Sequence, residues 1–243
     1  MPGVCYEYMK QNNNGGRPDG TPTMYIPRES RQPEPIHGSF FGQSSFSRLS
    51  ICHGVSVIPV GPEYSSIPFE TLAPFGCGFP TGAGATINVI NPAQSKPRTF
   101  AVFGVGAVGF AALFAAKATC PPATQIIAVD LTPSRLELAQ EYGAKVINGR
   151  ELNLSEANAL RNRIKEMTGH VGLDAAIDTT GNSKLISQIV QALAPLGKLV
   201  TLANSGWTAT VEINVADLMM SAKQWVGAIE GNIVPEKVLA LRD

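Results

Sequence analysis

From Thr99 onward the sequence repeats one unit: a short apolar run, a turn, a helical stretch, and another apolar run. Strands are expected at 99–103 (TFAVF), 125–130 (QIIAVD), 145–148 (KVIN), 173–178 (LDAAID), 197–202 (GKLVTL) and 225–229 (WVGAI). Near-continuous apolar strands separated by helices are the pattern of a parallel sheet covered on both faces. The punctuation between them agrees. Thr132 is placed to cap a helix with Pro133 at its first position, and Gly143 to end it. Leu185, Ile186, Ile189, Val190 and Leu193 form one apolar stripe before Pro195 and Gly197.

The first of these strands runs into FAVFGVGAVGF, residues 100–110, with glycines at 104, 106 and 109. A G-x-G-x-x-G triplet alone is weak, since it also arises in ordinary turns. Here it follows a strand, opens the helix AVGFAALFAAKA, and precedes Asp130 at the end of the next strand. In that context Gly104 makes the tight turn, Gly106 lets a pyrophosphate touch backbone, and Gly109 lets helix meet strand. Val108, in the same turn, is assigned to the cofactor with them. Six strands and this motif imply an α/β fold, a doubly wound parallel Rossmann sheet that binds a dinucleotide. The Asp130 carboxylate would accept hydrogen bonds from the adenosine ribose hydroxyls and repel a 2′-phosphate, so NAD is expected over NADP. The alternative for Asp130 is a helix-capping or turn carboxylate. Arg135, just beyond it, either helps to hold the ribose or is a solvated surface charge.

Nineteen basic residues balance nineteen acidic ones in the 243. No global field draws such a chain to nucleic acid or an anionic membrane, which leaves a small molecule as the expected partner. There is no leader-like start and no apolar run of membrane-spanning length, so a cytosolic setting is expected. Cys5, Cys52, Cys77 and Cys120 are widely spaced without a C-x-x-C pair, so neither a disulfide framework nor a self-contained zinc knuckle is legible.

The first third has a different texture. Gly and Pro recur to about Pro35, favouring turns over a core. From Ile36 to Pro68 short pieces such as RLSI and SVIPV are expected as strands of an irregular sheet. A glycine-rich stretch around GCGFPTGAGATINVI marks a junction. The expected domains are a β-rich catalytic-domain remnant over 1–93, the dinucleotide-binding domain over 94–231, and a short terminal segment over 232–243.

The runs GCGFPTGAGATINVI, FAVFGVGAVGFAALFAAKA and IIAVDLTPSRLELAQEYGA closely resemble the zinc-type medium-chain alcohol dehydrogenases, and among them the aryl-alcohol group. HGSFFGQSSFS, GLDAAIDTTGN, LAPLGKLVTL and VGAIEGN extend the likeness. The resemblance implies an incomplete GroES-like domain before the Rossmann domain, and NAD-dependent interconversion of a primary alcohol and an aldehyde. It implies Cys77 as a ligand of a catalytic zinc, Thr81 beside the nicotinamide, and Cys5 as a remnant of a structural zinc site. A homo-oligomer through the Rossmann domain is expected.

The departures bear on the metal. The family's earlier Cys ligand and the His of its G-H-E motif have no counterpart, and the histidines are His37, His53 and His170. One cysteine is not a catalytic zinc site, which takes three protein ligands. His170 is expected exposed in a turn, and Cys52 and His53, on neighbouring strand positions, point to opposite faces. The chain is expected to begin inside the catalytic domain, to stop early, and to hold no zinc alone. Three readings follow: a zinc alcohol dehydrogenase, a degenerate NAD-binding protein without the chemistry, and a zinc-free reductase of the same superfamily.

Overall fold

The computed structural model describes residues 15–17, 19–29, 31–38, 48–52, 54–169 and 172–233. Contacts divide the chain into two compact units, Met1–Ile67 and Pro68–Asp243.

In the first unit, β1 (Met24–Ile26) pairs antiparallel with β2 (Glu34–Ile36), with Tyr25 opposite Pro35. Arg28 forms an ion pair with Glu34 across this hairpin. The strands expected over RLSI and SVIPV are not formed. Leu49 and Ile51 are 92% and 95% exposed, and Gly54–Ser56 is instead a 3-10 turn closed by the Val57 N–H donating to the Gly54 carbonyl. Pro59 supplies no N–H to a ladder, so this apolar run lacks what a paired strand needs.

The second unit is built on a six-stranded parallel sheet. Its strands are β3 (Thr99–Phe103), β4 (Gln125–Asp130), β5 (Lys145–Asn148), β6 (Leu173–Asp178), β7 (Leu193–Thr201) and β8 (Gln224–Gly227), in the spatial order β5-β4-β3-β6-β7-β8. This is the doubly wound order, with the strand sequence reversing between β3 and β6. All five β3 residues are buried, and they alternate between two cores. Ala101 and Phe103 join Ile127, Leu160, Ile164 and Ile189 on one face, while Phe100 and Val102 join Ala112, Leu113, Ala116 and Ile177 on the other. A central strand reads as an unbroken apolar run because both sides of its two-residue period are covered.

Four strands have the bounds expected from sequence. β7 begins earlier, at Leu193, because the helix before it ends at Ala192 and Leu193 pairs with Leu173 ahead of a register irregularity. β8 ends at Gly227.

The helices are α1 (Phe69–Leu72), α2 (Gly78–Gly84), α3 (Pro92–Ser95), α4 (Ala107–Thr119), α5 (Pro133–Glu141), α6 (Ala159–Thr168), α7 (Ser183–Ala192) and α8 (Val215–Met220). α2 continues into a π-helical turn, Ala85–Ile90. Small residues let α2 lie against α4: a β-carbon on Gly82 would fall 1.9 Å from the Val108 carbonyl oxygen. Thr86 Oγ1, fully buried, is 3.2 Å from both the Gly82 and Ala112 carbonyls. Residues 68–93, grouped with the first domain by sequence texture, thus pack into the second unit. Composition gives no sign of this, because Gly82 meets Val108 across a long stretch of chain.

Candidate functional site

The glycine turn joins β3 to α4. Gly104 has φ +82°, the left-handed region that favours glycine, and its N–H donates to the Val129 carbonyl. A β-carbon on Gly109 would lie 1.9 Å from the Gly104 carbonyl oxygen, so this residue is small because the helix presses on its own turn. A β-carbon on Gly106 would meet nothing within 4 Å. Its backbone is extended, at φ −79° and ψ −163°. The three glycines therefore have three different reasons to be there. Only Gly106 borders open space, at the start of a 13-residue helix. The first N–H groups and the positive dipole end of such a helix favour an anion.

That space is a cleft of about 410 Å³ along the carboxyl ends of the strands. Gly104 and Gly106 after β3, Asp130 and Thr132 after β4, Gly149 after β5 and Thr179 and Thr180 after β6 line it. A crevice outside the carboxyl ends at the switch point is where open α/β sheets take ligands.

Asp130 is buried at the end of β4, and both its oxygens are engaged. Oδ2 accepts the Val105 N–H and Oδ1 the Thr132 N–H, each at 2.8 Å. It is a turn carboxylate that ties the glycine turn to the start of α5. Each oxygen keeps one acceptor direction for a further donor. Arg135 Nη1 stands 3.7 Å from Asp130 Oδ2 with its side chain 52% exposed, and it lines the cleft. Thr132 has no side-chain cap bond, contrary to its expected role; its N–H is taken by Asp130.

Sequence reasoning missed the β6 wall. Asp178 Oδ1 accepts the Thr180 hydroxyl at 2.6 Å and the Thr180 N–H at 3.1 Å, and Oδ2 accepts the Gly181 N–H at 3.2 Å. Thr179 Oγ1 donates to the Gly104 carbonyl at 2.7 Å, pinning this loop to the glycine turn. Burial raises the Asp178 carboxyl above its ordinary range, against the pull of the Thr180 and Gly181 donors. The stability it contributes is full below the ordinary carboxylate pKa and is lost as pH rises through the raised value. The signal was DTTGN, small polar residues directly after a buried strand.

Cys77 and Thr81 lie at the start of α2. Cys77 is exposed, and its carbonyl accepts the Thr81 hydroxyl at 2.8 Å and the Thr81 N–H at 3.0 Å. A β-carbon on Gly78 would sit 3.8 Å from Val108 Cγ2, so the Cys77–Thr81 turn backs onto the first turn of α4. Packing thus brings 77–81 to the first turn of α4, which the glycine turn opens. Cys5, His53 and His170 lie outside the described residues.

A dinucleotide fits: Gly106 faces a cleft that a side chain would fill, a carboxylate stands at the end of the second strand, and a helix N-terminus lies between. A catalytic zinc does not: among the described residues no three His, Cys, Asp or Glu side chains gather as a metal donor set.

The thiols differ in environment. Cys120, half-buried at the end of α4, has its thiol pushed up to about 11 by burial, while Cys52 and Cys77 are exposed. Since the thiolate is the reactive form, Cys120 is expected to label at least tenfold more slowly than Cys77 at neutral pH. Mass-resolved labelling with iodoacetamide measures this; Cys120 reacting as fast as Cys77 would show that the end of α4 opens freely.

The family model described as zinc-binding dehydrogenase matches residues 107–242. A probable alcohol dehydrogenase of a Pseudomonas species is 31% identical over 95% of this chain and 68% of its own length. A geraniol dehydrogenase of Castellaniella defragrans is 32% identical over 84% of this chain and 52% of its own length. The benzyl alcohol dehydrogenase structure from Acinetobacter calcoaceticus superposes with a TM-score of 0.79 at 33% identity, covering 98% of this chain and 59% of that one. An alcohol dehydrogenase zinc-binding domain protein from Burkholderia ambifaria gives 0.79 at 35% identity, covering 96% and 59%. The chain thus spans between about half and two thirds of the length of these four proteins.

Proposed function

The chain belongs to the zinc-binding dehydrogenase family, and from that premise we propose that its second unit binds NAD(H) for a hydride transfer between a primary alcohol and an aldehyde. The observation that carries this reading is Gly106, open to the switch-point cleft at the start of α4 while Gly104 and Gly109 are small for packing reasons. Bound NAD would supply the hydride acceptor, and NADH the donor. The residues of this chain do the holding. The α4 amides beside Gly106 take the pyrophosphate, Asp130 takes the adenosine ribose with Arg135 beside it, and Val108 and Thr81 flank the far end. The described residues lack the donor set of a catalytic zinc.

An aromatic alcohol is supported by the likeness to the benzyl alcohol enzyme, and the pairing of two copies by β8, an edge strand of the sheet among the described residues, with Trp225 partly exposed on it. The free Cys52, Cys77 and Cys120 agree with a reducing, cytosolic setting. No helix among the described residues is long and apolar enough to cross a membrane.

Titration of nicotinamide fluorescence tests the cofactor reading. NADH is expected to bind at least about tenfold more tightly than NADPH, a difference of roughly 1.4 kcal/mol. The half-exposed Arg135 moderates the preference, since an arginine near that position accommodates a 2′-phosphate. Equal affinities would remove the assignment of Asp130. In the same preparation, elemental analysis after dialysis is expected to give well under one zinc per chain, with slow or no oxidation of benzyl alcohol followed at 340 nm. Robust turnover abolished by Cys77→Ser would instead show that ligands outside the described residues, or on a second chain, complete a metal site.

A further inference from the structure

We propose that Asn88 is a positioning residue for the nicotinamide half of the cofactor, acting through a left-handed turn, Glu230–Asn232, that sets the backbone beyond β8. The proposal rests on the NAD reading above.

Glu230, Gly231 and Asn232 have φ of +53°, +60° and +53° in succession. Left-handed backbone is cheap only for glycine, and asparagine tolerates it; glutamate gains nothing there. Such conformations persist where surrounding contacts over-determine them, and they cluster at ligand clamps. The contacts here are specific. Asn88 Nδ2 donates to the Gly231 carbonyl at 3.1 Å and to the Asn232 carbonyl at 2.9 Å. A β-carbon on Gly231 would lie 2.4 Å from Ala85 N, and one on Gly84 2.5 Å from the Gly231 carbonyl oxygen, so two backbones touch with no side chain between them. Asn88 sits within the π turn Ala85–Ile90 that continues α2. π turns are rare and recur at functional sites.

Sheet register puts this turn beyond the same end of the sheet as the cleft. Asp178 pairs with Thr201 and Thr201 with Gly227, so one rung crosses the carboxyl ends of β6, β7 and β8. The residues after Gly227 therefore continue from the level at which Thr179 and Thr180 line the cleft. A dinucleotide lies across the two halves of a doubly wound sheet, with one mononucleotide over each. Asp130, at the end of β4, assigns the adenosine to the β3-β4-β5 half, which leaves the nicotinamide ribose and ring over β6-β7-β8. The turn also packs on Gly84, one helical turn beyond Thr81. Asn88 thus fixes the end of β8 relative to the helix that carries Thr81.

Binding of NADH and of ADP-ribose, which lacks the nicotinamide, separates positioning from general support. In calorimetry with the full chain, Asn88→Ala and Asn88→Asp are each expected to weaken NADH about tenfold, the loss of two neutral hydrogen bonds, and to leave ADP-ribose affinity unchanged. Asn88→Ser, which keeps one donor and stands in should either variant fail to fold, is expected to fall between them and the wild type for NADH alone. Equal weakening of both ligands, or no change in either, would overturn the role of Asn88 while the cofactor reading stood. A wild-type chain that binds neither ligand would remove both.

Discussion

Gly109→Ala is expected to cost the second unit about 3 kcal/mol, whereas Gly106→Ala, the same change three residues earlier, leaves stability within about 0.5 kcal/mol and weakens NADH by roughly tenfold to a hundredfold. The difference lies in what each β-carbon would meet. At Gly109 it would lie 1.9 Å from the Gly104 carbonyl oxygen, and that oxygen also accepts the Thr179 hydroxyl. The turn cannot yield without breaking the tie to β6. An overpacked core site typically loses 1–3 kcal/mol, and a site opposed by the Gly104 backbone and by Val102 Cγ1 at 3.3 Å belongs at the upper end. The thermal midpoint should fall by about 10 °C for a unit of this size. At Gly106 the extended backbone accepts alanine without strain, and the added methyl projects into the space proposed for the pyrophosphate. Calorimetric melting and NADH titration on both variants measure the contrast. Normal NADH binding by Gly106→Ala would make the motif a structural turn and nothing more.

Asp130→Ala is the second large effect, and it acts on fold and ligand together. The carboxylate satisfies the Val105 and Thr132 N–H groups, so alanine leaves two donors without their acceptor, one of them on a fully buried residue. An unsatisfied buried donor costs about 1–3 kcal/mol, and the loss of roughly 2 kcal/mol of stability is expected. NADH binding should fall at least about tenfold with the ribose acceptor gone, and the preference over NADPH should collapse to within about threefold. Asp130→Asn separates the two contributions. It keeps the shape and one acceptor, so stability falls less, while the charge that repels a 2′-phosphate is gone. If folded Asp130→Asn discriminates between the cofactors as well as the wild type does, the carboxylate is a turn residue alone.

Much of the second unit was legible because its signals are local. TFAVF reads as an interior strand from five consecutive residues, since a strand covered on both faces has no polar position to spare. The glycine triplet and Asp130 were legible for a similar reason: the turn, the helix start and the next strand end follow one another along the chain. Cys77 and Thr81 could be singled out by resemblance, but their meeting with Val108 depends on how α2 crosses α4. The DTTGN wall was passed over because its polar residues resemble any turn until the sheet order places them at the switch point. In the first unit, RLSI and SVIPV had strand-like composition without a strand partner, and composition says nothing about partners.

In the second unit the sequence by itself determined the strands, the parallel sheet and the glycine motif, because periodicity and turn chemistry act between neighbours a few residues apart. Only the tertiary structure decided which glycine faces open space and which presses on a carbonyl, that both Asp130 oxygens are engaged by backbone, and that residues 68–93 pack with the second unit. The left-handed turn at 230–232 held by Asn88 is of the same kind. Each of these depends on atoms brought together from distant parts of the chain. Close packing and hydrogen-bond satisfaction judge such contacts only once the backbone has been placed in space.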